Sequence, residues 1–275
     1  MIKSYENFLL ASDMDGTLIG TDGRISEENR QALNEYTARG GRFAIATGRT
    51  PANAAPYLRG LPINSPSIFY NGAMLYDWQQ KEILRTLALE EPLWRDYTAR
   101  LLERFPAACI EVYTAKQCYV LSSPLVDDPR LEIEQHTYAH ASLADIRAET
   151  WLKLFIYADR ATEHQMIALA GEMGIDRISA SFFSSDTYLE FVRRGTSKGS
   201  LLQDLRALPA NQGRIVIAAG DFDNDTEMLR QADCGVAPAN AEPEAKRVAD
   251  VIGVSCDAHL MRQIIGEIMP RLADR

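Results

Sequence analysis

The chain has 275 residues, 46% of them hydrophobic, which is ample for a buried core in one large or two modest domains. Against 29 basic residues stand 38 acidic ones, a formal net charge of -9, which argues against non-specific nucleic-acid or anionic-membrane partners. The apolar runs, such as Phe8 to Ala11 and Ile215 to Ala219, fall far short of the ~20 residues of a membrane span, and Asp13 and Asp15 cut the first one, unlike a secretory signal.

Phe8 to Ser12 reads as a short strand running into Asp13. Ser26 to Arg39 reads as a helix, with Ser26 as its cap, Glu27 and Glu28 at its positive end, and Gly40-Gly41 as its stop. Arg42 to Ala46 is the next strand, followed by Thr47-Gly48-Arg49 and by Pro51 in the first turn of another helix. Ser67 to Tyr70 is a third strand, closed by Asn71-Gly72. Strands and helices alternating through short connections predict a parallel sheet. The middle changes style. Pro92 to Arg104 is an amphipathic helix, Cys109 to Tyr113 and Gln117 to Leu121 a hairpin, and Trp151 to Tyr157 a strand. Glu163 to Met173 is a helix, and Ile178 to Phe183 and Tyr188 to Val192 are two more strands, whereas residues 123–150 carry no clear pattern. From Ser197 the alternation returns: helix Gly199 to Leu208, strand Arg214 to Ala219, helix Asp225 to Gln231, strand Cys234 to Val236, helix Glu242 to Val248, strand Val251 to Val254, and Asp257 capping a terminal helix. The expected fold is α/β: a Rossmann-like parallel-sheet core with helices on both faces, from residues 1–82 and 192–275, and an inserted α+β cap at 83–191.

Four segments carry chemistry. Asp13-Met14-Asp15-Gly16-Thr17 follows a strand directly, and ligands of open parallel sheets bind at strand carboxyl ends. Two adjacent acids there repel each other, and burial raises the cost; a hard cation relieves both. Gly16 lets backbone amides approach an anion, although Asp and Gly are also ordinary turn residues. Thr47-Gly48-Arg49 offers a hydroxyl and amides at a helix start, which suit a phosphate; taken alone it reads first as an ordinary cap. Arg49 divides between phosphate binding and helix-start solvation. Ser197-Lys198-Gly199 brings a lysine that would neutralise a phosphoryl oxygen, against the commoner case of a solvated lysine. Gly220-Asp221-Phe222-Asp223-Asn224-Asp225 packs three acids into five residues, which need a counter-charge or solvation, with Asp223 as the solvent-facing member. The order of the four, each at a different strand end, lets one sheet edge gather them.

In that order the segments resemble the haloacid dehalogenase-like phosphatases, most closely the Cof-type branch with an α/β cap of the second type. Asp13-Met14-Asp15-Gly16-Thr17 resembles the first motif, Thr47 the second, Lys198 the third, Asp221 with Asn224-Asp225 the fourth, and Asn71-Gly72 the short signature before the cap. The resemblance implies an Mg²⁺-dependent phosphomonoester hydrolase of small phosphorylated metabolites, with Asp13 attacking phosphorus and Asp15 serving as acid and then base. It implies Mg²⁺ held by the Asp13 carboxylate, the Asp15 backbone carbonyl and Asp221, with Asp225 as a water-mediated ligand or a partner orienting Lys198. It implies a phosphoryl site made by Thr47 and Gly48, Lys198 and Asn224. An acid at Asp15 sets the chain apart from the dehalogenases. A phosphomutase, a sucrose- or trehalose-type sugar-phosphatase and a non-catalytic phospho-ligand sensor are the alternatives. Cys109, Cys118, Cys234 and Cys256 form no Cys-x-x-Cys pair, which points to a reducing cytoplasm. His136 and His140, four apart in the unpatterned stretch, read as loop residues, and Glu190 and Arg193 of the cap have no assignable geometry.

Overall fold

The computed structural model describes residues 4–89, 92–123, 126, 128–129, 131, 138–185 and 187–273. His136 lies outside the described residues. The chain divides into two compact units, Met1–Arg85 with Ser197–Arg275, and Thr86–Thr196. It starts with β1 (Phe8–Ser12), α1 (Glu27–Ala38), β2 (Arg42–Ile45), α2 (Pro51–Leu58), β3 (Ser67–Phe69), β4 (Met74–Asp77) and β5 (Glu82–Thr86). The second unit contributes α3 (Pro92–Arg104), β6 (Cys109–Thr114), β7 (Cys118–Val120), β8 (Tyr138–His140), β9 (Trp151–Tyr157), α4 (Arg160–Glu172), β10 (Ser179–Ser185) and β11 (Tyr188–Arg193). The chain then returns through α5 (Lys198–Ala207), β12 (Ile215–Ala219), α6 (Thr226–Gln231), β13 (Cys234–Ala237), α7 (Pro243–Val248), β14 (Val251–Ile252) and α8 (Leu260–Gln263), which continues into further helical turns to Ala273.

In the first unit, parallel pairing gives the order β14-β13-β12-β1-β2. Every residue of β1 is buried, so it reads as a continuous apolar run, as a strand covered on both faces must. The Ser26 hydroxyl accepts from the Asn29 amide at 3.3 Å and fixes the start of α1. The helices fall into two groups: α1 packs on the C-terminal helical segment, while α5 packs on α6 and α6 on α7.

One expectation holds in reduced form and another fails. β3 joins the parallel sheet through a single parallel bridge, Ala46 with Ile68, where the Thr47 amide donates to the Ile68 carbonyl at 2.9 Å, and it also pairs antiparallel with β4. The reason is local: Tyr70, Asn71 and Gly72 all have positive φ (55°, 54° and 101°), which turns the chain back on itself. The strands β4 and β5 that follow delay the exit from this unit until Arg85. Asp257 does not cap the last helix. Its carboxylate accepts from the Thr21 amide (2.8 Å) and hydroxyl (3.0 Å), and the helix starts at Leu260 after His259 in a left-handed backbone.

The second unit is a six-stranded sheet, β10-β11-β9-β6-β7-β8, antiparallel except for β7 with β8. Ile110, Val112, Leu154, Ile156, Leu189 and Phe191 alternate along β6, β9 and β11 into a core with Trp94 and Tyr97 of α3 and Met166 of α4. Their sequence neighbours Glu111, Tyr113, Lys153, Phe155 and Glu190 share the opposite face and are buried too. No described helix is long and apolar enough to cross a membrane.

Candidate active site

The carboxyl ends of β1, β2 and β12 lie side by side. Ser12 is in register with Ala219 and with Ile45, so Asp13, Gly220-Asp221 and Ala46-Thr47 leave the sheet at one edge. The Asp13 amide extends the ladder by donating to the Ala219 carbonyl at 2.8 Å. Lys198 arrives from α5. A reciprocal Ser197–Ser200 capping box fixes the first turn of that helix. Lys198 is fully buried, and its Nζ lies 2.6 Å from Asp13 Oδ1 and 2.7 Å from Asp225 Oδ1. The other Asp225 oxygen, Oδ2, accepts from the amides of Asp221 (3.0 Å) and Phe222 (3.2 Å), and so folds the acidic loop around itself. Asp221 accepts from the Thr17 hydroxyl at 2.9 Å. Close approach requires glycine twice: a Cβ on Gly16, which has φ +75°, would stand 2.4 Å from Asp221 Oδ2, and one on Gly220 would stand 2.4 Å from the Asp225 Cβ.

Carboxylate oxygens of Asp13, Asp221 and Asp225 lie within 4.8 Å of one another. Three carboxylates face one ammonium, and the imbalance shows in their acidities. Burial pushes the Asp13 carboxyl well above its usual range; Asp225 and Asp221 add to the rise and Lys198 opposes it. Burial likewise pushes Asp221 up to about 6, against the hydrogen bond from Thr17 and with help from the Asp225 charge. For Lys198 burial works against the charged form, but Asp13 and Asp225 together outweigh it and hold the ammonium above its ordinary value. A buried, all-oxygen donor set with excess negative charge fits a hard divalent cation such as Mg²⁺.

The remaining predicted residues form two further groupings. The Asp15 carboxylate is not among the clustered ligand atoms; Arg49 grips both of its oxygens, at 2.7 and 2.8 Å. Thr47 is buried, its amide donates to the Ile68 carbonyl at 2.9 Å, and its hydroxyl accepts from the Arg49 amide at 3.1 Å. Gly48 lies so close to Asn71 that an added Cβ would meet Asn71 Oδ1 at 2.8 Å. The same Oδ1 accepts from Asn224 Nδ2 at 3.0 Å. Asn71 thus joins Gly48 to Asn224. A Cβ added to Gly72 beside it would stand 2.0 Å from the Ser197 carbonyl oxygen, so that position has no room for one. In the sequence Asn71-Gly72 closes a strand and resembles the short signature before the cap; its partners, 153 residues away in one case, are invisible in a local pattern. Thr17 and Arg49 were in view in the sequence without an assigned partner. Asp223 is exposed, as expected of the solvent-facing member.

The haloacid dehalogenase-like hydrolase family model matches residues 10–259. The chain is 34% identical over 269 residues to an Arabidopsis thaliana protein named endoribonuclease YBEY, chloroplastic; the match covers 89% of this chain, which spans only 44% of that protein's length. It is 24% identical over 274 residues to pyridoxal phosphate phosphatase YbhA of Escherichia coli, covering 89% of this chain and 92% of that one. Among solved structures, a haloacid dehalogenase-like hydrolase from Bacteroides thetaiotaomicron superposes with a TM-score of 0.78 at 27% identity, covering 94% of this chain and 98% of that one. With the family model matched over residues 10–259 and the four motif segments gathered on one unit, the chain belongs to the haloacid dehalogenase-like hydrolases.

Proposed function

We propose that the chain hydrolyses phosphomonoesters of small metabolites, with Mg²⁺ as cofactor and through an aspartyl-phosphate on Asp13. The observation that carries this reading is the buried triad Asp13, Asp221 and Asp225, with Lys198 bridging two of its members. Three anionic groups drawn together at a strand edge make sense as a site for cationic and phosphoryl ligands and make none as packing. The E. coli relative named for pyridoxal phosphate supports a small phosphorylated substrate. The four buried thiols support a cytoplasmic location.

The ion would be held by Asp13 and Asp221, with Asp225 nearby and the Asp15 carbonyl completing the protein ligands; when bound it neutralises phosphoryl oxygens and lets one anion approach another. The chain's own residues do the rest. An Asp13 carboxylate oxygen bonds to phosphorus as the ester P–O bond breaks, and Asp15 delivers a proton to the departing alcohol oxygen. Lys198 holds Asp13 from one side and balances charge on the transferring group. Its position is set by Asp225, whose second oxygen is committed to the loop amides. Thr47 with Gly48, and Asn224 with Asn71 behind it, orient the remaining phosphoryl oxygens. In the second half-reaction Asp15 takes a proton from water as the water oxygen bonds to phosphorus, and the Asp13–phosphorus bond breaks. Phosphoryl transfer of this kind depends on alignment and charge neutralisation more than on elaborate acid–base chemistry.

The test is phosphate release from p-nitrophenyl phosphate and from a panel of phosphorylated metabolites, with and without Mg²⁺. Metal-dependent release supports the reading. Isomerised product without phosphate would convert it to a mutase, and binding with neither outcome to a sensor.

A further inference from the structure

Arg49 has no part in the proposed reaction, yet its guanidinium is held at several points. Its Nε is 2.8 Å from Asp15 Oδ2 and its Nη2 is 2.7 Å from Asp15 Oδ1, a two-bond fork that fixes the plane of the carboxylate as well as its place. The fork is itself anchored. The guanidinium lies over the Tyr57 ring of α2, 4.5 Å from its centroid. The Arg49 amide donates to the Thr47 hydroxyl at 3.1 Å, and its carbonyl accepts from the Tyr70 amide at 3.1 Å. Helix α2, the loop after β2 and the turn after β3 therefore all hold Arg49. Asp15 sits on a loop with its side chain 55% exposed, against 20% for Arg49. A pair with so exposed an acid contributes little to stability. Its constraint needs another explanation.

We propose that Arg49 is a positioning residue for Asp15: anchored by Tyr57 and by two loops, it holds the Asp15 carboxylate in the place and plane from which a proton passes to the leaving oxygen. This deepens the phosphatase reading and rests on it. Each carboxylate oxygen has two lone-pair sites, so Arg49 occupies one on each and leaves the others for the proton. The transfer itself is balanced: the Asp15 O–H bond breaks and the alcohol O–H bond forms while phosphorus moves from the alcohol oxygen to Asp13. Lysine cannot replace the fork, because its ammonium is a point charge with no fixed plane.

The leaving group separates positioning from phosphate binding. p-Nitrophenolate departs without a proton, whereas an alkoxide needs one. The experiment compares kcat/KM for p-nitrophenyl phosphate with that for an alkyl phosphate that the wild type hydrolyses, in the wild type, Asp15→Asn, Arg49→Gln, Arg49→Lys and Tyr57→Leu. Arg49→Gln is expected to lower the alkyl ester about 100-fold, within the range of a general acid, and the nitrophenyl ester less than about fivefold. Arg49→Lys and Tyr57→Leu are expected to shift the same ratio in the same direction by less, and they decide the matter if circular dichroism shows Arg49→Gln unfolded. Equal losses on both esters with a raised KM would make Arg49 a phosphate ligand and overturn the inference; so would unchanged values on both. If Asp15→Asn itself fails to separate the esters, the acid role of Asp15 is wrong. If Asp15→Asn separates them and no Arg49 or Tyr57 variant does, only the positioning role falls.

Discussion

Among the described residues two lysines are buried, and their surroundings differ in the way that matters. Lys198 in the first unit lies between Asp13 and Asp225, with Asp221 adjoining. Lys153 in the second unit lies 2.9 Å from Glu190, with the Tyr113 and Phe155 rings 4.7 and 4.9 Å away. Both ammonium groups are shielded from water and both have a carboxylate partner. Around Lys198, however, the acids outnumber the base, and burial raises the pKa of two of them, Asp13 and Asp221. Lys153 has one paired acid and two polarisable ring faces, and the second acid on that buried face, Glu111, is satisfied separately by the Tyr113 hydroxyl, which donates to it at 2.8 Å. An unbalanced buried cluster carries a standing electrostatic cost that only a ligand relieves. A balanced pair holds structure and asks for nothing further.

The sharpest way to break this comparison is at the nucleophile. Asp13→Asn keeps the shape of the side chain and removes its attack; phosphate release is expected to fall by at least about 10⁴-fold with an unchanged circular dichroism spectrum. Retained turnover would remove Asp13 from the chemistry. The ion comes next. EDTA is expected to stop hydrolysis and Mg²⁺ to restore it. Mg²⁺ at a hundredfold excess over its Kd is expected to stabilise the wild type by about 2.7 kcal/mol, read as a rise in Tm. Asp221→Ala should lose that rise and Glu190→Leu should keep it. Loss of the rise in both would erase the distinction between the two clusters.

The second cluster has its own test. Lys153→Met leaves Glu190 buried and unpaired and is expected to cost about 3–5 kcal/mol in denaturant unfolding, while Lys153→Met with Glu190→Leu is expected to recover most of it. A double variant as unstable as the single one would mean that the pair serves more than its own balance. The smallest effect is at Asn71. Asn71→Gly accepts the φ of 54° without strain but loses the bond to Asn224; kcat/KM is expected to fall about tenfold, the equivalent of one hydrogen bond of ~1.4 kcal/mol, with little change in Tm. An unchanged kcat/KM would show that Asn224 needs no support from Asn71.

Much of this is legible in the sequence because the chemistry sits at strand ends. Phe8 to Ser12 and Ile215 to Ala219 announce themselves as buried strands, and the acids that end them cannot be packing residues. What escapes a local reading is long-range or conformational. The turn of Tyr70, Asn71 and Gly72 looks like the end of a parallel strand, and only its left-handed backbone reveals the reversal into β4. Ser197-Lys198-Gly199 by itself divides Lys198 between a phosphoryl contact and the commoner solvated lysine, and does not show that burial places it between two carboxylates 185 and 27 residues away in sequence. Arg49 reads equally as a phosphate contact or a solvated helix-start residue, since nothing in Thr47-Gly48-Arg49 says that its fork reaches Asp15, 34 residues earlier. In the second unit Glu190 has no assignable geometry in the sequence, and only the register of β6, β9 and β11 puts it on one buried face with Glu111 and Lys153.

The central claim is a covalent phosphoryl group on Asp13. Acid-quenching the enzyme during turnover of a ³²P-labelled ester, reducing with borohydride and mapping the peptides by mass spectrometry tests it directly. The account predicts label retained on the protein before reduction, and reductive conversion of the Asp13 side chain alone. Steady release of phosphate with no label on the protein, or label at any other residue, would contradict it.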